Sequence, residues 1–216
     1  MAVEILNMDC MEYMKGLPDN AFDLAIVDPP YGIGMSGGKI GGDNSAKSTE
    51  YSNFYGNDSD APNSEYFKHL ARVSKNQIIW GANHFIESIP NASSPCWVVW
   101  DKENTGNFAD CELAYTSFNT AVRVYRFRWN GMLQGDMKNK EVRIHPTQKP
   151  VKLYQWLLDK YAKPGDKILD THLGSGSSAI AAHYAGFDFV GMELDKHYFD
   201  LACERFKKDT AQLDMF

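Results

Sequence analysis

The stretch that most constrains the fold is residues 168–193. Ile168-Leu169-Asp170 reads as a short apolar strand, and residues 171–178 as a Gly-rich turn. Residues 179–184 read as a helix stopped by Gly186, and Phe189-Val190-Gly191-Met192-Glu193 as a second strand ending in an acid. Glycines let the backbone pass close to a ligand. An acid at the tip of the neighbouring strand can accept both hydroxyls of a ribose. The run Gly174-Ser175-Gly176-Ser177-Ser178-Ala179 also fits the loose dinucleotide fingerprint, with Glu193 as its acidic partner. On this segment alone, nicotinamide-dinucleotide binding stays open.

A second apolar run, Leu24-Ala25-Ile26-Val27, leads directly into Asp28-Pro29-Pro30-Tyr31. This places the tetrapeptide at the C-terminal end of a buried strand, where ligands bind in open α/β sheets. Asp28 supplies acceptor oxygens. The two prolines fix φ and remove two backbone donors, leaving a rigid stretch that offers carbonyls. Tyr31 adds a flat face. Such a site suits a planar ring bearing an exocyclic NH2 group. Without the downstream motif, the same residues would read as a strand followed by a Pro-rich turn.

Taken together, these segments resemble the DNA amino-methyltransferases, which use S-adenosylmethionine to methylate adenine N6 or cytosine N4. Asp28 to Tyr31 resembles the family's catalytic tetrapeptide, and His145-Pro146-Thr147-Gln148-Lys149-Pro150 the segment beside the methionine end of the cofactor. Asp170 to Ser178 resembles the cofactor loop, Gly191-Met192-Glu193 to Tyr198 the ribose-binding acid with its following helix, and Asn7-Met8-Asp9-Cys10 the segment near the cofactor's adenine. The catalytic motif comes first and the cofactor loop last, the circularly permuted order of the β class.

The resemblance implies one Rossmann-like class I methyltransferase domain over residues 1–216. This α/β fold has helices on both faces of a mixed sheet of about seven strands. It implies catalytic roles for Asp28, Pro29, Pro30 and Tyr31. It implies cofactor contacts from Asp9, Cys10, Asp28, His145, Thr147, Lys149, Asp170, His172, Gly174, Ser175, Gly176, Ser177, Glu193, Leu194 and Tyr198. S-adenosyl-L-methionine is the implied cofactor, S-adenosyl-L-homocysteine the product, and no metal is expected. Asp at the first tetrapeptide position goes mostly with adenine in the family, and Ser mostly with cytosine. Tyr31 is expected to stack on a base flipped out of the duplex. Two departures stand out: His172 where the family usually has Phe, and Ser177 and Ser178 where it often has Thr. The competing readings are methylation of RNA or a protein amide, a nicotinamide-dependent oxidoreductase, and an inactive partner subunit. The second leaves Asp28-Pro29-Pro30-Tyr31 unexplained.

The chain has 216 residues, of which 44% are hydrophobic, a length and balance ordinary for one α/β domain. No apolar run approaches the ~20 residues of a membrane span. The early charge at Glu4 argues against a signal peptide. Cys10, Cys96, Cys111 and Cys203 lack C-x-x-C spacing and read as thiols of a reducing cytoplasm, bacterial or phage-encoded. The net charge is −6, yet residues 119–152 hold eight basic residues against Asp136 and Glu141. Arg123, Arg126, Arg128, Lys138, Lys140 and Arg143 are therefore the candidate DNA contacts, a basic strip on an acidic body.

Residues 32–64, rich in Gly, Ser, Asn, Asp and Tyr, are expected to form a mobile lid over the target base. Residues 119–144 form a small candidate target-recognition segment, so short that a second subunit, such as a homodimer partner, would complement it. Further helices are expected at 11–16, 65–74 and 151–161, and strands at 77–80 and 97–100. The segments 111–118 and 121–129 are expected to pair as a hairpin at the sheet edge. Trp80, Trp97 and Trp100 read as core.

Overall fold

The computed structural model describes residues 1–34, 38–40, 49–51, 60–104, 109–130 and 133–211, with backbone alone at 38–40 and 49–51. In chain order the elements are β1 (Val3–Leu6), α1 (Cys10–Lys15), β2 (Phe22–Val27), β3 (Gly38–Ile40), β4 (Thr49–Tyr51), α2 (Ser64–Val73) and β5 (Ser74–Trp80). Then come β6 (Trp97–Asp101), β7 (Cys111–Thr116), β8 (Arg123–Arg126), β9 (Trp129–Asn130), β10 (Leu133–Gln134) and α3 (Val151–Tyr161). The chain closes with β11 (Lys167–Asp170), α4 (Ser177–Ala185), β12 (Asp188–Met192) and α5 (Lys196–Thr210).

Three helices begin at side-chain caps that satisfy otherwise orphaned backbone donors. Asp9 accepts from Met11 N at 2.7 Å, Asn63 from Glu65 N at 3.0 Å, and Asp195 from His197 N at 2.9 Å. Helix α4 ends where Gly186 takes a φ of +79°, a left-handed turn that a side chain would oppose.

Eight strands form one sheet in the order β1-β12-β11-β2-β5-β7-β6-β8. The first five are mutually parallel. β7 is antiparallel to both β5 and β6, and β8 runs parallel to β6. Alternation along β2 divides its side chains between two cores. Leu24 and Ile26 pack with Leu153 and Leu157 of α3 and Ala179 and Ala182 of α4. Ala25 and Val27 pack on the other face with Phe67, Leu70 and Val73 of α2. Each fully buried large aliphatic or aromatic side chain contributes roughly 1.5–3 kcal/mol.

This winding places the functional crevice. β11 leaves through α4 to β12 on one side, and β2 leaves through α2 to β5 on the other. The neighbours β11 and β2 thus form the topological switch point, with a crevice beyond their carboxyl ends. Asp170 ends one strand and Asp28 follows the other.

Three expectations change. The sheet has eight strands where about seven were expected. The segments 111–118 and 121–129 do not pair with each other, because β6 lies between β7 and β8. Burial explains the order: Ala114, Tyr115 and Thr116 of β7 are buried and need a strand on each side. β8, with Arg123, Val124 and Arg126 exposed, suits an edge. Trp80 and Trp100 are buried as expected, but Trp97 is half-buried, edge-on to Tyr115. Of the segment 32–64, residues 38–40 and 49–51 pair as a two-stranded antiparallel ribbon. The lid expected there falls largely on residues 35–37, 41–48 and 52–59, outside the described residues. Among the described residues no helix is long and apolar enough to cross a membrane.

Candidate active site

Asp28 is fixed by two side chains, Tyr31 and Lys149. Tyr31 Oη donates to Asp28 Oδ1 at 2.8 Å, and Lys149 Nζ donates to Oδ2 at 2.5 Å. Lys149 also donates to Tyr31 Oη at 3.1 Å and lies 3.0 Å from Glu112 Oε2. Glu112 in turn pairs with Lys102 through its other oxygen. Glu112 reaches the crevice because β7 runs against its neighbours, so its first residues lie at the carboxyl ends of β2 and β5. Burial pushes the Asp28 carboxyl above its ordinary range, and Lys149 opposes that shift. Burial also works to raise Glu112, but the Lys149 and Lys102 ammoniums outweigh it and hold Glu112 at about 2. Two hydrogen bonds leave further acceptor positions on the Asp28 carboxylate.

Tyr31 packs more tightly than the sequence suggests. A Cβ on Gly81, whose φ is +67°, would fall 2.1 Å from the Tyr31 ring, so only glycine admits the ring there. The exposed His84 ring stacks on Tyr31 at 5.1 Å between centroids and 16° between planes. It covers one face of the ring that was expected to receive the target base.

Across the crevice, the Gly174 loop is held from below and behind. Asp170 is buried, accepting from Ser178 Oγ at 2.5 Å and His172 N at 3.0 Å. Burial pushes its carboxyl up to about 7, with the charges of Asp28 and Glu193 adding to the rise. Ser175 and Ser177 turn their hydroxyls inward, 3.0 Å apart. Arg205 of α5 donates to Ser175 O at 3.0 Å, Ser177 Oγ at 2.9 Å and Glu141 Oε2 at 2.7 Å. Glu141 Oε1 accepts from Val151 N at 3.0 Å, tying the loop to the start of α3.

Glu193 lies just beyond β12. It accepts from Gly174 N and Asp195 N, each at 2.9 Å, and burial pushes it up to about 7. Asn7 donates to the carbonyls of Glu193 and Leu194 at 2.8 and 3.1 Å, joining the ends of β1 and β12. Leu194 is exposed. His145 stands over Gly174 and meets the Tyr198 ring edge-on at 4.4 Å between centroids. The Thr147 hydroxyl lies 3.1 Å from His145 Nδ1. Burial lowers both His145 and His172 to about 4, so both rings are neutral at neutral pH. Cys10 is pushed up to about 12 by burial and the charge of Asp9, leaving it a thiol and not a nucleophile.

The winding therefore brings residues 9–10, 28–31, 145–149, 170–176 and 193–198 to one end of the sheet. The Lys149 ammonium, expected at the cofactor, lies on Asp28. Asp170, Ser175 and Ser177 engage the loop and Arg205.

Sequence reading missed Tyr66, Glu112, Lys102, His84 and Arg205. The Tyr66 hydroxyl lies 2.6 Å from Thr171 Oγ1, and the charges of Asp170 and Asp28 both act on it. Its ring meets His172 edge-on at 5.4 Å. Along α2 it is an aromatic at core spacing, indistinguishable from Phe67.

The basic strip divides. β8 is parallel to β6, and β6 to β5, so Arg126, opposite Asp101, lies at the same end of the sheet as Asp28. Arg123, opposite Val98, lies toward the other end. Arg128, Lys138 and Lys140 are exposed. Arg126 forms an exposed 3.3 Å ion pair with Asp101, and Arg143 is half-buried over the Trp129 ring.

Comparison with known proteins bears on the fold and the family. The Type II methyltransferase M2.DpnII of Streptococcus pneumoniae is 24% identical over 95% of this chain and 90% of its own length. The solved M1.HpyAVI–SAM complex shares the fold with a TM-score of 0.58 at 20% identity, covering 94% of this chain and all of that one. The PvuII DNA methyltransferase, described as cytosine-N4-specific, superposes with a TM-score of 0.61 at 13% identity, over 99% and 92%. The fold is the Rossmann-like class I methyltransferase fold expected from the sequence. A family model described as DNA methylase matches residues 91–204, more than half of the chain, and the chain belongs to that family of N6- and N4-amino-methyltransferases.

Proposed function

We propose that the protein transfers a methyl group from S-adenosylmethionine to the exocyclic N6 of adenine in DNA. The observation that carries this reading is the switch-point crevice itself. It sets a fixed carboxylate, Asp28, beside a glycine loop backed by an acidic strand tip, Glu193. The site fits the cofactor. Gly174, at a φ of +54°, adds no side chain beneath the His145 ring, which a Cβ there would touch at 3.8 Å, and the Glu193 carboxylate keeps acceptor positions for ribose hydroxyls. Gly174, Gly176, Glu193, His145 and Tyr198 would hold S-adenosylmethionine, which supplies an electrophilic methyl on a sulfonium.

The residues of the chain do the rest. A purine amine is a weak nucleophile because its lone pair is delocalised into the ring. Asp28 accepts one amine N–H and the Pro29 carbonyl the other, drawing the nitrogen toward a pyramidal geometry. Much of the rate gain is this positioning. As the N–C bond forms and the S–C bond breaks, positive charge passes to nitrogen and is stabilised by the Asp28 carboxylate. The surplus proton leaves to Asp28 or water. Tyr31, braced by Gly81, and the exposed strip of Arg126, Arg128, Lys138 and Lys140 orient the base and the duplex. Residues 119–144 supply target recognition.

Cytosine N4 is the second reading, because the same two acceptors serve either amine and a cytosine-N4 enzyme shares the fold. Asp28 favours adenine, following the family's preference. Labelled methyl transfer offered to DNA, RNA and protein in parallel tests the reading. Incorporation into DNA is expected, and incorporation confined to RNA or protein overturns it.

A further inference from the structure

In the site as it stands, Asp28 keeps acceptor positions for an amine, but its charge is offset by a cation. One carboxylate oxygen accepts from Tyr31 and the other from the Lys149 ammonium at 2.5 Å. An ammonium there cancels the negative charge that a methylated, positively charged nitrogen requires. Lys149 is not held by Asp28 alone. Its three donors reach Asp28 Oδ2, Tyr31 Oη at 3.1 Å and Glu112 Oε2 at 3.0 Å. Its side chain is 4% exposed, so water offers no alternative partner. Glu112 is thus a second carboxylate already within reach of the same cation. With Lys149 and Lys102 it sets Asp28 in a cluster of two carboxylates and two ammoniums, of which Lys149 alone touches both carboxylates. Lys102 attaches on the far oxygen of Glu112.

Resting on the methyl-transfer reading, we propose that Glu112 is a positioning residue that takes the Lys149 ammonium from Asp28 as the amine binds, so that Asp28 accepts the N–H with its charge restored. The transfer needs no large motion. Lys149 moves between two oxygens it already contacts, and Tyr31 keeps its hydrogen bond to Asp28. Glu112 is suited to this by topology, since a strand that starts at this end of the sheet must run antiparallel, and among the described residues β7 does so beside β5.

The test is single-turnover methyl transfer to DNA from pH 5 to 9 at saturating cofactor, with S-adenosylhomocysteine binding measured by calorimetry. The groups acting on Asp28 are Lys149, Glu112 and Tyr31, with Tyr66 of α2, Tyr154 of α3 and Asp170 of β11 also within electrostatic range. Glu112→Gln leaves Lys149 wholly on Asp28. The rate should fall about tenfold or more, the scale of one pH unit in a charge interaction, and the acid limb of the profile should move to lower pH. S-adenosylhomocysteine affinity should stay within about twofold, on this same scale. Lys149→Met leaves Asp28 facing Glu112 with no ammonium between them and Lys102 only on the far Glu112 oxygen, so its acid limb should move to higher pH. These opposite displacements would not follow from loosened packing, and the Lys149→Met arm stands if Glu112→Gln fails to fold. A near-wild-type rate and profile in Glu112→Gln, or displacements of the same sign, overturns the proposal. Wild-type protein that transfers nothing to DNA overturns the methyl-transfer reading instead.

Discussion

Glu193 shows how one side chain can serve both fold and ligand. Its two oxygens accept from Gly174 N and Asp195 N, so it braces the loop it would share with the cofactor. Burial pushes its carboxyl up to about 7. Above that pH it would, on the proposed reading, accept from ribose hydroxyls; below it, one oxygen carries a proton and accepts less well. S-adenosylhomocysteine affinity should therefore weaken as pH falls through about 7, and calorimetry at pH 6 and pH 8 should show the decline. Glu193→Ala should lose roughly 1.5–3 kcal/mol per charged hydrogen bond, about tenfold or more in affinity, and should lose the pH dependence as well. Unchanged affinity in the variant would move the ribose contact elsewhere.

Among the elements, β11, α4 and the loop between them carry the site, and His172 is their departure from the family's usual Phe. Its ring is half-buried beside Tyr66, with Thr171 Oγ1 2.9 Å from Nδ1, and desolvation lowers it to about 4 from an ordinary 6.5. The unfolded chain binds a proton here at higher pH than the folded one. Stability from this group is therefore fully present above pH 6.5 and is lost as pH falls toward 4. His172→Phe removes that loss. Relative to wild type, the variant should gain on the order of 3 kcal/mol between pH 7 and pH 4, read by denaturant unfolding at several pH values. A constant difference across that range would show that the His172 ring is not desolvated by its neighbours.

The same elements show what the sequence makes legible. β2, β11, α4 and β12 were readable because apolar runs, glycines and acids follow one another locally. The β6–β7–β8 order was not, because strand pairing depends on which neighbours bury Ala114 and Tyr115, a non-local choice. Glu112 and Arg205 escaped for the same reason. Each is one charge among many until the register sets it beside Asp28 or behind Ser175.

At the scale of the whole molecule, an acidic chain must still approach a polyanion. The strand directions place Arg126 toward the crevice end of the sheet and Arg123 toward the opposite end. Replacing Arg126, Arg128, Lys138 and Lys140 with Gln should lower the slope of log K against log salt by about 0.9 per lost phosphate contact on duplex DNA. Arg123→Gln should leave the slope unchanged. Affinities at several salt concentrations check both. Identical slopes in all three proteins would mean that the strip is a solvated face and DNA is held elsewhere.

In the proposed function Asp28, set beside the cofactor loop by the winding of the sheet, directs methyl transfer to adenine N6. Its most direct test is nucleoside mass spectrometry of DNA methylated by wild-type protein and by Asp28→Ala. Wild type should yield N6-methyladenine. Asp28→Ala should yield none above background while binding S-adenosylhomocysteine with near-wild-type affinity. N4-methylcytosine from wild type, or N6-methyladenine from Asp28→Ala at a near-wild-type rate, would contradict the account.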